Sequence, residues 1–420
     1  MKNEVLEYIK NYVYNEQEAQ MPALFPVGQE TEVSFKGLGE INVPVFTNEF
    51  WTSKQRKGNS IHEISYRACF KPQLPHFFIE LLTQKNDIVY DPFSGRGTTV
   101  IEAALLGRQV ISNDINPLSG IFTRPRLEIP SLPEVEYRLE QLSINYDYRA
   151  DTDLSMFYHP LTEAEIVNLR EYLNRRRKEG KEDRVDRWIR MVATNRLTGH
   201  SRGFFSVYTL PPNQAVSRER QIKINRKRNQ EPEYRNTRQI IMKKTENLLK
   251  GVTDKEKDQL WSAAESACFL ENDARHTPEI PSETVQLTVT SPPFLNVVQY
   301  SQDNWMRCWF NGIDTQQIEE KITVTGTLSR WEEVMDGVLR ELFRITQKGG
   351  WVAFEVGEVN RGQIKLEDHI IPLGREAGFE CAGVLLNEQE FTKTSNIWGV
   401  KNNKRGTNTN RIVLFHIPLD

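Results

Sequence analysis

Apolar and polar positions along this chain follow two periods that alternate in blocks. Short unbroken apolar runs predict buried strands at Asp87–Tyr90, Gln109–Asp114, Ala267–Leu270, Val285–Val289 and Trp351–Val356, with Glu380–Leu386 and Arg411–Ile417 closing the chain. Helical spacing lies between them, at His76–Leu82, Val100–Leu106, Tyr300–Phe310, Arg330–Ile345 and Leu366–Ala377. Strand and helix in alternation predict an α/β fold around a seven-stranded, mostly parallel, doubly wound sheet. From about Pro130 to Lys257 the strand period is absent and helical spacing takes over, at Thr162–Lys178, Asp183–Thr198 and Arg235–Leu249. The chain therefore divides into an N-terminal extension (1–60), a sheet domain in two pieces (61–129 and 258–420) and a mainly helical insert (130–257). Within the extension, Val5–Tyr14 has amphipathic helical spacing, and Pro22–Pro44 is cut by prolines and glycines into short extended pieces.

Composition adds little until it is divided along the chain. The 420 residues are 38% hydrophobic and 26% charged, which is ordinary for a soluble globular protein. The net charge of −3 hides an asymmetry, because Arg170–Lys250 holds 22 Lys and Arg against nine Asp and Glu. A basic block on an acidic body is the footprint of a polyanion-binding module, which points to nucleic acid. The cysteines (Cys69, Cys268, Cys308, Cys381) form no C-x-x-C pair, so neither a disulfide framework nor a structural zinc is expected. With no apolar run of membrane-spanning length and no signal pattern, the expected setting is the cytoplasm.

The candidate chemistry sits at the ends of predicted strands. Asp91-Pro92-Phe93-Ser94-Gly95-Arg96-Gly97-Thr98-Thr99 is a glycine-rich turn between a strand and a helix, a geometry that brings backbone N–H groups against a ligand. Its Asp91 would repel a pyrophosphate and suits an ammonium group, as in S-adenosylmethionine. Asp114 ends the next strand, where a carboxylate can accept from ribose hydroxyls. Asp273 follows the third. After the fourth comes Ser291-Pro292-Pro293-Phe294, whose prolines forbid helix and further sheet. A serine oxygen, a proline carbonyl and a flat ring suit a planar base carrying an exocyclic amine. In the insert, Arg202, Arg218, Arg220, Lys223, Arg226, Lys227 and Arg228 have the character of phosphate contacts, while Lys54-Gln55-Arg56-Lys57 fits a solvated loop. Phe204, Phe205 and Tyr208 fit either base stacking or the insert's own small core.

With those stretches in view, the chain resembles the S-adenosylmethionine-dependent DNA methyltransferases that modify cytosine N4 or adenine N6. The glycine-rich stretch resembles their cofactor loop and Ser291-Pro292-Pro293-Phe294 their catalytic tetrapeptide. Phe70-Lys71-Pro72 resembles the element packed on the methionine part of the cofactor. The resemblance implies a Rossmann-like class I methyltransferase fold. It further implies cofactor contacts from Asp91, Phe93, Gly95, Gly97, Thr98, Thr99, Asp114 and Asp273, and a base flipped from double-stranded DNA. Serine at the first tetrapeptide position leans to cytosine N4, with adenine N6 in DNA or RNA as the alternative. It also implies a target-recognition role for the insert, a possible cognate restriction or defence nuclease, and no need for a metal. The insert precedes Asp273 rather than following it, which departs from the family's arrangement. A non-catalytic nucleic-acid-binding protein with the same fold is the remaining alternative. C5-cytosine methylation is excluded because no cysteine follows a proline, and zinc deamination because no H-x-E with P-C-x-x-C is present.

Overall fold

The computed structural model describes residues 2–13, 30–38, 41–51, 58–66, 69–211, 215–293, 300–316, 318, 327–359, 363–388 and 410–419. The strands are β1 (Glu32–Leu38), β2 (Ile41–Asn48), β3 (Ile88–Asp91), β4 (Gln109–Asn113), β5 (Cys268–Leu270) and β6 (Val285–Thr290). After them come β7 (Thr346–Val356), the small pair β8 (Glu358–Val359) and β9 (Ile364–Lys365), β10 (Glu380–Asn387) and β11 (Asn410–His416). All but β8 and β9 form one sheet in the order β1-β2-β10-β11-β7-β6-β3-β4-β5. From β3 the chain steps outward through β4 to β5. It then returns to the other side of β3 as β6 and continues to β7, all in parallel. The order thus reverses between β3 and β6, and an open sheet of this kind opens its ligand crevice at that point. β11 enters antiparallel between β7 and β10.

The sheet has nine strands where the sequence pattern predicts seven. The extra two are the antiparallel pair β1–β2, which joins the edge through β2 and β10. Pro44 sits inside β2 opposite Phe35, and β1 is solvent-exposed along most of its length, with even its alternating Val33 and Phe35 left exposed, so a proline and an open edge mask the pair. The proline-broken reading of the N-terminal extension concealed a real edge.

Side chains alternate across the sheet as strand geometry requires. Leu287 and Val289 face one core, with Trp351 and Ala353 beside them, while Val352 and Phe354 face the other; Val285 joins that second core across a register shift before Leu287. The helices are α1 (Lys2–Lys10), α2 (Gln73–Leu82), α3 (Thr98–Leu105), α4 (Leu118–Thr123), α5 (Leu132–Glu140), α6 (Pro160–Lys178) and α7 (Arg184–Arg196). They continue with α8 (Arg218–Arg228), α9 (Thr237–Leu249), α10 (Asp254–Ser266), α11 (Tyr300–Asn311), α12 (Leu328–Ile345) and α13 (Glu367–Ala377). α12 and α13 cover one face. The other carries α2 and α3, and the insert packs onto that same core: Leu173, Trp188 and Leu248 belong to one continuous cluster with Ile101 and Val110. Phe205 is fully buried and Phe204 nearly so, which settles those rings as the insert's core rather than a stacking surface. No helix among the described residues is long and apolar enough to cross a membrane.

Candidate functional site

The glycine-rich loop leaves the tip of β3 and the proline loop leaves the tip of β6, so the pairing of these strands places the two side by side. Buried side chains tie them together. The Thr290 hydroxyl, one residue before Ser291, donates to Asp91 Oδ1 at 2.7 Å, and the Thr99 hydroxyl donates to the Val289 carbonyl at 3.0 Å. Neither contact was legible in the sequence: Thr290 passed as the end of a strand, and Thr99, expected at the cofactor, is fully buried with its hydroxyl turned to β6.

Asp91 is buried, and besides Thr290 it accepts the Phe93 N–H at 3.1 Å. Burial pushes its carboxyl up to about 7, against the lowering effect of those hydrogen bonds. A carboxylate kept out of water with hydroxyl and amide donors is built to receive a cation. Asp114 holds the loop closed: Oδ2 accepts the Gly95 N–H at 2.8 Å and Oδ1 the Asn116 N–H at 2.9 Å, while burial raises its carboxyl to about 6. Each oxygen keeps a second lone pair for a ribose hydroxyl. Gly97 has φ +74°, and a Cβ there would lie 2.3 Å from the Thr123 hydroxyl, so only glycine fits the turn. Gly95 also has positive φ, +54°.

Phe70-Lys71-Pro72 lies against this loop through Arg96, which donates to the Phe70 carbonyl at 3.3 Å and to the Ile64 carbonyl at 2.9 Å. Lys71 is half-buried, and burial together with the neighbouring Arg96 lowers its pKa. Phe93 is partly exposed at the loop, and Thr98 is buried, with its hydroxyl held by Arg96. Asp273 stands after β5 in a two-pronged ion pair with Arg275, which holds its carboxyl below the usual range. An adenine amine at Asp273 would share that carboxylate with Arg275.

On the target side, Ser291 follows Thr290, which pairs with Phe354, so it stands beside Glu355 on β7, and its hydroxyl lowers the Glu355 carboxyl against the raising effect of burial. Glu355 is buried, accepts a hydrogen bond from Asn410 at 2.5 Å, and burial raises its carboxyl above the usual value. Trp331 Nε1 donates to the Pro293 carbonyl at 3.1 Å and fixes the direction of the proline pair. The sequence analysis missed both Glu355 and Trp331. The available signal was one acid inside the apolar run Trp351–Val356. Phe294 lies outside the described residues.

The insert is anchored next to this pair of tips. The Ser65 carbonyl accepts from Asn195 at the end of α7 (3.0 Å) and from Arg307 on α11 (3.1 Å). Trp305 on α11 donates to the Val216 carbonyl at 3.2 Å, just before α8. Arg218, Arg220, Lys223, Arg226, Lys227 and Arg228 all lie exposed on α8, and Arg202 is exposed beside Glu233.

Sheet order, switch point and paired loops define the fold as α/β, Rossmann-like, of the class I methyltransferase type. Residues 1–118 match the DNA methylase family (N6_N4_Mtase), which bears out the resemblance to the amino-methylating DNA methyltransferases. S-adenosylmethionine is the cofactor that goes with that family, and the buried, cation-seeking Asp91 fits its ammonium group. The match ends before the insert and the tetrapeptide. Type II methyltransferase M.MvaI of Kocuria varians is 36% identical over 91 residues, covering 19% of this chain and 20% of its own length. Type II methyltransferase M.BsoBI of Geobacillus stearothermophilus is 24% identical over 312 residues, covering 66% of this chain and 57% of its own. The alignments thus span less than two thirds of either relative. Among solved structures, a SAM-dependent methyltransferase of Methanosarcina mazei covers 82% of this chain and 98% of its own, at 10% identity and TM-score 0.32.

Proposed function

We propose that this protein transfers a methyl group from S-adenosylmethionine to the exocyclic amine of a base flipped out of double-stranded DNA, with cytosine N4 as the acceptor. The observation that carries the reading is the direct hydrogen bond from Thr290, at the base of the proline loop, to Asp91, at the base of the glycine loop. A donor held at one tip and an acceptor at the other meet across this buried contact.

The cofactor supplies an electrophilic methyl on a sulfonium. Asp91 receives its ammonium, Asp114 its ribose, and Phe70-Lys71-Pro72 packs against the methionine part. Flipping the base costs a few kcal/mol, repaid by stacking, for which Phe294 is assigned, and by hydrogen bonds. With its proton turned to the neighbouring Glu355, the Ser291 oxygen would be left to accept an N–H from the target amine. The Pro292 carbonyl accepts the other. Two acceptors localise a nitrogen lone pair otherwise delocalised into the ring, and alignment for in-line attack supplies much of the acceleration. The proton surplus after transfer has a route, from nitrogen to the Ser291 oxygen while the serine's own proton passes to Glu355, whose raised basicity suits the role.

Nucleoside mass spectrometry on cells expressing the protein is expected to show N4-methylcytosine in DNA. Methylated adenine would move the assignment to N6, and methylation in RNA alone would reject the DNA reading.

Cofactor binding should also depend on pH. The Asp91 carboxyl is raised to about 7, so below that pH it is largely neutral and must ionise to pair with an ammonium. Affinity for S-adenosylmethionine should therefore rise with pH and level off above about 7. Calorimetry at pH 6 in two buffers of different ionisation enthalpy should reveal proton release that is absent at pH 8.5. Identical heats in both buffers at pH 6 would remove Asp91 from the ammonium site.

A further inference from the structure

α8 has no apolar stripe. Its eleven residues, Arg218 to Arg228, include two isoleucines and six Lys or Arg, and Gln221 is the one residue fully buried. Partly buried Ile224 gives the helix an apolar foothold on the core, and polar contacts do the rest: Gln221 donates to the Tyr208 carbonyl at 3.0 Å and Asn225 to the Met156 carbonyl at 2.8 Å, while the Arg228 guanidinium lies 3.8 Å from the centre of the Tyr208 ring. Ser217 caps its start and Asn229, in left-handed conformation, ends it. At about 100° per residue, Gln221, Ile224, Asn225 and Arg228 form the attached stripe. The opposite ridge carries Glu219, Lys223 and Arg226, spaced i, i+4, i+7. Arg220 and Lys227 form one flank, Arg218 and Ile222 the other. Arg220, Lys223, Arg226 and Lys227 form no ion pair among the described residues. An element this charged gains little apolar burial from folding onto the body.

We infer that α8 enters the major groove of duplex DNA, with Glu219, Lys223 and Arg226 reading base edges while Arg220 and Lys227 grip the phosphates. The inference rests on the DNA reading above and adds to it a division of labour between faces of one helix. A helix with its side chains is about 10–12 Å across and the major groove about 12 Å wide, so the exposed girth fits. Arginine and lysine can pair with the guanine edge and glutamate can accept from cytosine N4. Placement supports the assignment: the residue before the N-cap of α8 is hydrogen-bonded to α11, and the Arg218 guanidinium lies 5.5 Å from the Trp305 ring of that helix. α11 follows the proline loop in the chain, so a duplex seated on α8 lies beside the pocket that takes the base.

The test is selection from a pool of duplexes with a randomised stretch, sequencing the bound fraction, alongside salt titration of affinity for a mixed-sequence duplex. The wild type should enrich one motif. Glu219→Gln and Arg226→Gln should each relax it at one base pair, weakening binding of the enriched duplex roughly ten- to hundredfold and leaving mixed-sequence affinity within a few-fold. Arg220→Gln and Lys227→Gln should weaken all duplexes alike and flatten the slope of log affinity against log salt by about 0.9 each. All four positions are exposed, and circular dichroism would confirm that the variants fold. An unchanged motif in both ridge variants overturns base reading by α8, and an unchanged slope in both flank variants removes the helix from the duplex. Tighter binding of a structured RNA competitor would overturn the choice of partner. The selection does not depend on turnover, so a protein that binds duplexes through α8 yet methylates no DNA would sink the proposed reaction and leave this inference standing.

Discussion

Asp91→Asn is expected to weaken S-adenosylmethionine binding by about 2–5 kcal/mol, roughly 30- to 5,000-fold, because the substitution removes the charge that meets the ammonium and leaves a buried cation unpaired. The replacement keeps the shape of the side chain and an oxygen to accept from Thr290 and Phe93. The fold should survive, and one measurement sets this apart from simple damage. The native carboxyl titrates near 7, above the ordinary carboxylate range, so the folded state holds a proton that the unfolded chain releases. Ionising that buried group therefore costs stability as pH rises from about 4 to 7, a cost the amide escapes. The variant should melt higher than the wild type at pH 8, with the two converging near pH 4. Loss of cofactor binding with a lower Tm at pH 8 would mean that Asp91 is structural.

Ser291→Ala should do the reverse, leaving cofactor affinity unchanged while kcat falls on the order of a hundredfold, the scale for removing one positioned hydrogen-bonding group. Full turnover in the alanine variant would end the assignment. Glu355→Gln separates the serine's two duties. An amide can donate to the hydroxyl as well as accept from it, so the oxygen loses its bias toward the target amine and the proton its destination. Turnover should drop at least tenfold, and the rise of activity with pH that tracks ionisation of Glu355 should disappear. A pH profile identical to wild type in Glu355→Gln would confine Glu355 to holding the loop.

Much of this site was legible because two short stretches break ordinary strand grammar. Asp91-Pro92-Phe93-Ser94-Gly95-Arg96-Gly97 and Ser291-Pro292-Pro293 follow clean apolar runs, and the runs fixed β3 and β6 to within a residue or two. The partners of those stretches were not legible. Glu355 and Trp331 reach the proline loop from β7 and α12, distant in sequence, and nothing local distinguishes them from a tolerated acid and a core indole. α8 escaped notice as a helix for a different reason. The pattern that announces a helix is an apolar stripe, and α8 has none because it is attached mostly through polar side chains. β1 and β2 were hidden likewise, by edge exposure and by Pro44.

The single continuous core beneath α2, α3 and the insert also bears on how such a protein can diversify. Trp188 and Leu248 press into the same packing as Ile101, and the Ser65 carbonyl is shared between α7 and α11. A wholesale exchange of residues 130–257 with another protein would tear open that packing. Changes confined to the outward ridge of α8 touch none of it, so on the proposed reading the sites recognised could drift one exposed side chain at a time.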